Sequence, residues 1–505
     1  MAQINTLAEI NRVRREVGAT KDRALKSELG QFFTSSIVAS FMAKMFDNNE
    51  SHVKILDPGA GVGILTAAYI ERLCKKKRKP VSIDVVAVEI DEALIPVITK
   101  TLDLCSKLCQ KVGIEFSSRI VNRDFLEFGL QLITNQDNTT FTSIIVNPPY
   151  KKIAADSTAR ILLRQIGVET TNLYTGFVAV SKRLLAESGQ LVAITPRSFC
   201  NGTYYTKFRV DFLSDMSFKK IHLFESRREV FSEDDVLQEN IIYLAEKNKN
   251  NRYVSITTSV GTMTPSLSYR LHKSHLVHPN DEDMFIRLAK DRTEVALKNA
   301  LKGISSTLEQ IGLQVSTGRV VDFRTKENLR YEDEDIGDDV VPLIYPLHFS
   351  NGHINWPVSS AKKPNGIHLN NDTINLLLPS GNYVLVKRFS AKEEPKRVVP
   401  AIYDQSKIEA DFVGFENHVN YFHTNNTGLP LELAKGLALY LSSTVIDRYF
   451  RQFNGHTQVN VGDLKSLPYP TKSQLIEMGE LIGENFPEQE EVDLIIERTL
   501  GVTAN

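Results

Sequence analysis

The amino-terminal half of the chain alternates short apolar runs with longer segments of helical periodicity. Apolar runs rich in β-branched residues and bounded by turn residues predict buried strands. Such runs occur at 52–56 (HVKIL), 81–89 (VSIDVVAVE), 114–121, 141–146 (FTSIIV) and 189–196 (GQLVAITP). Residues 173–185 have apolar positions at helical spacing. This alternation predicts an α/β domain built on a mostly parallel sheet.

The segment before the first strand predicts two helices. Residues 1–29 are charged and typical of a helical lead-in, although a DNA-binding arm is the alternative interpretation. In the segment 30–46 (GQFFTSSIVASFMAKMF), Thr34 or Ser35 can cap a helix. The apolar face of that helix is expected to carry Ile37, Val38, Phe41, Met42 and Met45.

Length and composition indicate a soluble protein of several domains. A chain of 505 residues exceeds one ordinary core, and 42% apolar with 24% charged residues is typical of globular proteins. We expect a helical lead-in at 1–29, a catalytic domain at 30–260, a second domain at 261–475 and a helical tail at 476–505. The net charge of −1 means that any surface for nucleic acid must be local.

The cysteines and histidines predict neither disulfides nor a metal site. The four cysteines contain no Cys-x-x-Cys pair, and Cys105 and Cys109 share one helical face as expected for buried free thiols. His348, His418, His423 and His456 lack the compact spacing of zinc ligands. With no signal peptide or membrane span recognised, we expect a cytoplasmic location and no membrane or metal partner.

The most informative stretch ends the run 141–146, at Asn147, Pro148, Pro149 and Tyr150. Proline lacks the N–H that a strand needs, so the strand should stop here. At the carboxyl end of a strand, the Asn147 amide oxygen and the Pro148 carbonyl form a pair of acceptors for a planar amino group. Tyr150 adds an aromatic face. The alternative is a purely structural role, in which the strand ends in a rigid turn.

Three earlier strand ends carry acidic residues. Asp57 is followed by glycines that let the backbone approach a ligand at a helix start, and a carboxylate at Glu89 is placed to accept ribose hydroxyls. Asp124 can accept from an adenine amino group, and Phe125 can stack on it. The glycines alternate, so the dinucleotide pattern is not met and S-adenosyl-L-methionine is favoured over NAD. The alternating glycines are Gly59, Gly61 and Gly63.

Other polar and aromatic residues are candidates for contacts with a target base or with DNA. Aromatic residues follow the strand 189–196, where a core or rim role is equally open. In the carboxyl-terminal half, basic residues among aromatics suit phosphate contacts, and amides suit base edges, although solvated faces are the alternative. The candidates are Phe199, Tyr204, Tyr205, Arg319, Arg324, Lys387, Arg388, Asn417, His418, His456, Gln458 and Asn460.

Taken together, these motifs resemble the N6-adenine DNA methyltransferases of type II restriction-modification systems. The resemblance is to the gamma motif order, TaqI-like in the catalytic domain and PstI-type over residues 25 to 470. It rests on GQFFT, DPGAG, NRDFL, NPPY, PRSF, STGRVVDFR and NGHTQVN. Departures are Ser35 where many relatives have proline, and Gly59-Ala60 where Ala-Cys is common.

The resemblance implies a fold, a cofactor and residue roles. The fold is the Rossmann-like class I methyltransferase with a mostly parallel seven-stranded sheet, followed by a mixed α/β target-recognition domain. S-adenosyl-L-methionine would be the methyl donor, with Phe33 and Thr34 near its methionine end. Tyr150 would stack on the flipped target base, and Asn147 with Pro148 would bind its amino group.

The expected activity is site-specific adenine N6 methylation of double-stranded DNA. A cognate restriction endonuclease would be a genetic rather than a physical partner, and the resemblance suggests a short palindrome such as CTGCAG. The alternatives are an RNA or protein-glutamine methyltransferase, or an inactive DNA-binding specificity protein. The carboxyl-terminal extension argues against the glutamine enzymes, and the intact motifs argue against an inactive protein.

Overall fold

The computed structural model shows two compact units, Met1–Arg287 and Leu288–Asn505. It describes residues 6–20, 34–135, 139–201, 203–224, 240–259, 267–277, 281, 283–288, 293, 296–297, 300–331, 339–359, 363–391, 394–454 and 457–502. Phe33 and His456, two of the predicted site residues, lie outside these ranges.

The first unit is built on one sheet, with nine strands in the described residues, in the order β3-β2-β1-β4-β5-β7-β6-β8-β9. The strands are β1 (His52–Pro58), β2 (Ser82–Glu89), β3 (Glu115–Asn122), β4 (Phe141–Val146), β5 (Leu185–Pro196), β6 (Met216–Phe224), β7 (Asn240–Lys247), β8 (Tyr253–Ser259) and β9 (Leu267–His272). Adjacent strands among β1 to β5 pair in parallel, whereas β7 is antiparallel to β5 and to β6. The sheet is mostly parallel, as predicted.

The sheet is larger than the resemblance implied. The strands β8 and β9 continue it past β6, so the described residues contain nine strands where seven were expected. The predicted domain end at residue 260 therefore falls between two paired strands, and the compact units divide after Arg287. The polar segment 248–252, a little before this predicted end, is the turn between β7 and β8.

Helices cover both faces of this sheet. They are α1 (Thr6–Thr20), α2 (Ser36–Met45), α3 (Ile64–Lys75), α4 (Ile95–Lys111), α5 (Phe125–Thr134), α6 (Thr158–Gln165), α7 (Leu173–Leu184), α8 (Thr206–Asp215) and α9 (Lys273–Leu276). Leu244 packs in one core with residues of α1 to α4, while its neighbour Tyr243 meets Phe212 of α8. Adjacent residues in a strand point to opposite faces, so α8 lies on the face opposite α2.

The helix α2 begins at the predicted place. Ser35 is its N-cap, and the Ser35 hydroxyl accepts a hydrogen bond from the Val38 amide. Val38, Met42 and Met45 are buried at helical spacing. Ile37 was expected on the same face but is 65% exposed, because it stands one residue away from that stripe.

The lead-in helix and the cysteines also belong to the core of the first unit. Ile10 of α1 is buried in the same cluster as α3 and α4, so the lead-in is part of the catalytic unit. Cys74, Cys105, Cys109 and Cys200 are all free and buried, which confirms the expectation of buried thiols.

The second unit is mixed α/β. One sheet has the order β10-β20-β17-β18-β14-β13 and another the order β11-β15-β12-β19-β16. The strands are β10 (Gln314–Thr317), β11 (Leu329–Arg330), β12 (Val340–Ile344), β13 (Phe349–Ser350), β14 (His353–Ile354), β15 (Gly366–His368), β16 (Leu377–Pro379), β17 (Tyr383–Lys387), β18 (Pro400–Tyr403), β19 (Phe412–Phe415) and β20 (Val419–His423). The helices are α10 (Leu431–Ser442), α11 (Thr444–Phe453), α12 (Val461–Lys465), α13 (Lys472–Glu480) and α14 (Gln489–Leu500).

The helices of the second unit share a core with its larger sheet. Val384 and Phe422 pack in one cluster with residues of α10, α11 and α13, and Ile496 of α14 joins them. The predicted tail at 476–505 is therefore an integral part of this unit. The closest helix contact is between α10 and α13, where Gly436 faces the Leu475 backbone and Gly479 faces the Glu432 backbone.

This contact predicts a strong stability effect for Gly436→Ala. A methyl group on Gly436 would overlap the carbonyl oxygen of Leu475, so the two helices would have to separate. We expect the free energy of unfolding to fall by about 2 kcal/mol or more in denaturant titrations. Gly483→Ala is the matched control, because nothing lies within 4 Å of its added methyl group, and its change should stay within about 0.5 kcal/mol. Equal stability of the two variants would contradict this account of the helix contact.

Candidate active site

Asn147 lies directly after β4 and is held at both ends of its side-chain amide. The Asn147 Nδ2 atom donates to the Thr34 hydroxyl over 3.0 Å, and the Tyr150 hydroxyl donates to Asn147 Oδ1 over 3.0 Å. The Tyr150 hydroxyl also lies 3.3 Å from the Ile194 carbonyl oxygen of β5. These contacts fix the plane of the amide and the direction of its oxygen.

The elements around Asn147 explain why these side chains meet. Pro148 and Pro149 stop β4, so Asn147 stands at the carboxyl edge of the sheet. Thr34 comes immediately before the cap of α2, and it is only 4% exposed. Burial raises the pKa of the Tyr150 phenol, so this hydroxyl remains a hydrogen-bond donor at neutral pH.

Asp57 is a buried carboxylate near the end of β1 that is only half satisfied. Its Oδ2 atom accepts a 2.7 Å hydrogen bond from the Thr66 hydroxyl of α3. Within the described part of the chain, its Oδ1 atom has no hydrogen-bond partner, although the side chain is fully buried. Burial is the main cause that raises the pKa of Asp57 to about 7, and the nearby Glu89 adds to it. A cation bound here would favour the ionised form.

The three glycines after Asp57 adopt the backbone conformation that favours glycine. Gly59, Gly61 and Gly63 have φ values of 73°, 60° and 76°. The Gly61 N–H donates to Glu89 Oε2 over 2.8 Å, which ties this loop to the end of β2. Side chains with a Cβ are strained in this region of φ, so glycine is required for the turn that approaches Glu89.

Glu89 lies at the end of β2, where the sequence predicted it. It is 2% exposed, and its Oε1 atom accepts from the Asp91 N–H over 2.9 Å. The two bonds to backbone amides hold the carboxylate in a fixed orientation at the end of β2.

Asp124 and Phe125 begin α5, and the structure separates their roles. Asp124 is the helix N-cap, and its Oδ1 atom accepts from the Glu127 N–H over 3.1 Å. Phe125 is 2% exposed, with its ring centroid 4.9 Å from that of Phe177. Its face is covered by the core, so the stacking role expected from the sequence is replaced by a packing role.

Ile90 is a candidate that sequence reasoning missed. It follows Glu89 directly, is 52% exposed, and its carbonyl oxygen lies 3.3 Å from Asn122 Nδ2. The exposed apolar side chain of Ile90 lies between the strand ends that carry Glu89 and Asp124, and it offers a surface for a flat ring. The only signal in the sequence is an isoleucine placed between two acidic residues, Glu89 and Asp91.

The aromatic residues after β5 divide into a buried and an exposed group. Phe199 is 1% exposed and packs against Phe208 and Tyr243, so it is a core residue and not a base contact. Tyr205 is 8% exposed, and its hydroxyl accepts a 2.6 Å hydrogen bond from Asn172 Nδ2. Tyr204 is 79% exposed and is the member of this group that is open to solvent.

In the second unit, five predicted or adjacent residues form a basic-aromatic patch. The rings of Phe389 and His418 lie 5.1 Å apart, and Phe389 forms a backbone bridge with Gln458. The patch consists of Lys387, Arg388, Phe389, His418 and Gln458, adjacent in the chain or in contact. The Lys387 ammonium lies 5.5 Å from the ring centre of Phe349, which is outside the patch.

Hydrogen bonds to neighbouring protein groups hold two side chains of this patch in place. The carboxylate of Glu416, itself 1% exposed, accepts from His418 Nδ1 over 2.5 Å, which leaves Nε2 as the remaining hydrogen-bonding atom of the ring. The Arg388 guanidinium donates to the Asn417 carbonyl oxygen over 3.1 Å. Among the described residues, the Asn417 Oδ1 atom is buried without a hydrogen-bond partner. Phe389 is 44% exposed.

The other predicted contact residues have structural partners. The Asn460 N–H and side-chain amide both donate to the buried Asp463 Oδ2, at the start of α12, so Asn460 serves the helix start and not a base. Burial raises the pKa of Asp463 to about 6. Arg319 donates to Asn426 Oδ1 over 2.6 Å. Arg324 is exposed, and its guanidinium carbon lies 5.4 Å from the ring centre of Phe323.

Comparisons with known proteins identify the family of this chain. The family model described as Eco57I restriction-modification methylase matches residues 81–231. The type II methyltransferase M.PstI of Providencia stuartii is 42% identical over 97% of this chain and 96% of its own length. The chain belongs to the type II methyltransferases of restriction-modification systems. M.BsuBI of Bacillus subtilis, another type II methyltransferase, is also 42% identical over 94% of both chains.

The predicted membership of the type II restriction-modification methylases is thereby confirmed, and the protein is a DNA methyltransferase. Solved structures similar to this methyltransferase include the type IIG restriction endonuclease BpuSI, with a TM-score of 0.44 and 13% identity over 92% of this chain and 62% of that chain. The DrdV–DNA complex has a TM-score of 0.48 and 12% identity over 95% of this chain and 60% of that chain. The methyltransferase spans less than two thirds of either chain.

The described residues of the methyltransferase contain neither a metal-binding cluster nor a membrane-spanning helix. No group of three or more His, Cys, Asp or Glu side chains there could hold a metal ion. No helix in the described ranges is long and apolar enough to cross a membrane.

The buried carboxyl of Asp57 predicts a pH-dependent stability effect for Asp57→Asn. Folding raises its pKa from 3.8 to about 7, so its contribution to stability is fully present below pH 3.8 and is lost as pH rises through 7. The neutral asparagine avoids that loss. We therefore expect Asp57→Asn to raise the thermal midpoint of the cofactor-free protein more at pH 8 than at pH 5.

Asp103→Asn, which changes an exposed carboxylate on α4, serves as the control for this prediction and should alter the midpoint little at either pH. A stabilisation by Asp57→Asn that is the same at both pH values, or a loss of stability at pH 8, would contradict the raised pKa.

Proposed function

We propose that this methyltransferase transfers a methyl group from S-adenosyl-L-methionine to the N6 amino nitrogen of an adenine in a short duplex site. The observation that carries the proposal is the Asn147 amide, held by Thr34 and Tyr150 at the carboxyl edge of β4 with Pro148 next to it. A resemblance to PstI-type methylases extends the proposal to a palindrome such as CTGCAG and to protection of DNA from a cognate endonuclease.

The chemistry of the amino group explains the need for two fixed acceptors. The lone pair of the adenine N6 nitrogen is delocalised into the ring, so this nitrogen is a poor nucleophile. When Asn147 Oδ1 and the Pro148 carbonyl oxygen each accept one N–H, they favour a pyramidal nitrogen and direct its lone pair away from the ring plane. Catalysis then rests on positioning and electrostatics, without a covalent enzyme intermediate.

Tyr150 can keep its contact with Asn147 while the amino group binds, because an amide oxygen has two lone pairs and accepts two hydrogen bonds. In the free protein the Tyr150 hydroxyl donates to Asn147 Oδ1, the atom proposed to accept from the substrate. The second contact of the hydroxyl, with the Ile194 carbonyl oxygen, also helps to retain it when the amino group binds. The tyrosine ring would stay in place as a stacking surface for the base.

The residues at the ends of β1, β2 and β3 fit S-adenosyl-L-methionine. The unpaired Oδ1 of buried Asp57 suits a ligand that carries positive charge, and the positive-φ glycines let backbone approach it. Glu89 would hold the ribose hydroxyls, with Asp124 and the exposed Ile90 at the adenine and Thr34 toward the methionine end. When bound, this cofactor supplies an electrophilic methyl group.

The target adenine must leave the duplex to reach Asn147, because its amino group is stacked and paired within the helix. Two aromatic side chains near this edge serve that purpose in our proposal. Tyr150 would stack on the extruded base, and the exposed Tyr204 would contact the substrate from the end of β5.

The basic-aromatic patch of the second unit supports a role in target recognition. Gln458 and His418 carry groups that read base edges, and Lys387 and Arg388 carry the charge that contacts phosphates. The patch is partly exposed, and buried Glu416 fixes the ring of His418. We propose that this patch contacts the recognition site.

The direct test of the activity is transfer of labelled methyl from S-adenosyl-L-methionine to unmethylated plasmid DNA, with sequencing that maps modified bases. Label on adenines at one recurring sequence is the expected result. Label on cytosine, or label only in RNA or in a glutamine-bearing protein, would overturn the adenine assignment while the methyltransferase class stands.

The same assay tests the role of Asn147. Asn147→Ala should abolish transfer and leave the affinity for S-adenosyl-L-methionine, measured by calorimetry, largely unchanged, since Asp57 and Glu89 lie at the ends of other strands and only Thr34 among the proposed cofactor residues contacts Asn147. Asn135→Ala, an exposed asparagine at the end of α5, should keep wild-type turnover. Turnover by Asn147→Ala near the wild-type rate would refute the proposed acceptor.

The patch predicts two different effects on DNA binding. Gln458→Ala should lose about 1 to 3 kcal/mol of discrimination at one position of the site, because a base contact is removed. Lys387→Ala should weaken binding to all sequences and reduce the salt slope by about one. Binding titrations at several salt concentrations, on specific and substituted sites, separate the two. If both variants bind every duplex as the wild type does, the patch is not the recognition surface.

A further inference from the structure

Asn240 is a buried amide that the assignments above leave without a role. It is the first residue of β7, it is 5% exposed, and it stands opposite Pro196 at the end of β5. Among the residues that the structure describes, neither its Oδ1 nor its Nδ2 atom has a hydrogen-bond partner, although both atoms are buried. One side chain therefore contributes an unused donor and an unused acceptor.

Such an amide destabilises the free protein. Burial removes the hydrogen bonds to water from both atoms, and no group in the described residues replaces them. An apolar residue of similar size would avoid this cost. Asn240 lies at the same edge of the sheet as the proposed acceptor Asn147. A ligand that hydrogen-bonds to Asn240 would explain why the protein keeps this costly side chain.

The topology places Asn240 on the substrate side of Asn147. Because β7 is antiparallel to β5, its first residue lies at the edge where β4 and β5 end. Asn240 shares a face of the sheet with Ile242 and Leu244, which pack in the same core as α2, and Thr34 beside α2 contacts Asn147.

The strand order separates the cofactor from this position. Asp57 and Glu89 lie on β1 and β2, on one side of β4, whereas β7 lies on the other side, two strand spacings or about 10 Å from β4. A ligand group between Asn147 and Asn240 would thus belong to the target nucleotide and not to the methyl donor.

We propose that Asn240 is a further substrate-binding residue that hydrogen-bonds a ring nitrogen of the extruded adenine. This inference rests on the proposed function. The two N6 hydrogens are taken by Asn147 and Pro148, so the remaining polar atoms near the amino carbon are N1 and N7, both acceptors. The Asn240 Nδ2 group supplies the matching donor and sets the rotation of the base relative to Asn147.

The test combines variants of Asn240 with analogues of the target base. Wild type, Asn240→Ala and Asn240→Leu are compared on duplexes that carry adenine, 1-deazaadenine or 7-deazaadenine at the methylated position. On adenine, kcat/KM should fall about tenfold in both variants, as expected for one lost hydrogen bond. On the analogue that lacks the partner nitrogen, wild type and variants should be equally slow. The loss caused by the substitution and the loss caused by the analogue then do not add, because both remove the same hydrogen bond.

Comparing the three proteins on the same duplex cancels any effect of an analogue on base pairing. Losses that add on both analogues, or variants as fast as the wild type on adenine, would overturn the proposal. If the wild type methylates no adenine at all, it is the proposed function that fails instead.

Stability measurements distinguish a binding role from a structural one. Asn240→Ala and Asn240→Leu should keep the wild-type affinity for S-adenosyl-L-methionine, and their thermal midpoints should be unchanged or higher. Asn48→Ala is the control, because Asn48 is fully partnered by the Ser143 and Tyr69 hydroxyls at 3.0 Å, and its midpoint should fall. A fall in the midpoint of both Asn240 variants would show a structural role and refute the proposal.

Discussion

A side-chain amide can act as a fixed acceptor only when the protein holds it in one orientation, and the site depends on how Asn147 meets this condition. Thr34 accepts from its nitrogen and Tyr150 donates to its oxygen, each over 3.0 Å. The two partners are far apart in the sequence: Thr34 lies before α2, and Tyr150 lies just after β4. The prolines that end β4 and the cap that starts α2 therefore both help to orient the amide of Asn147.

The edge of the sheet where β4 ends also carries polar groups that the free protein leaves unsatisfied. Asp57 Oδ1 and both amide atoms of Asn240 are buried without partners in the described residues. Unsatisfied buried groups lower stability, and at the edge where ligands bind in open α/β sheets a bound ligand can supply the missing partners. By contrast, Asn48 and Gln190, away from the proposed site, have partners for the amide oxygen and nitrogen.

In the second unit, hydrogen bonds reassign several polar residues that look alike in the sequence. Asn460 is bound to Asp463, and Asn454 links Asp463 to Arg397. These contacts hold the segment 457–460 beside Phe389, and Gln458 remains partly exposed there. The same local fold therefore uses Asn460 for structural hydrogen bonds and leaves Gln458 partly exposed.

The sequence by itself determined the strand ends and the chemistry placed on them. Apolar β-branched runs locate β1, β2 and β4, and proline stops β1 and β4. Asp57, Glu89 and Asn147 then lie at one edge because parallel strands end together. These features depend on neighbours along the chain, so local patterns are enough to predict them. The family followed from the same motifs.

Only the tertiary structure decided which side chains are free to meet a ligand. Phe125 and Phe199 have the same aromatic character as Tyr204, yet the first two are buried by partners distant in sequence and the third is exposed. The end of the sheet beyond residue 260 and the unpaired amide of Asn240 likewise follow from strand pairing. Burial and hydrogen-bond satisfaction are sums over contacts between remote residues, and for that physical reason no local pattern contains them.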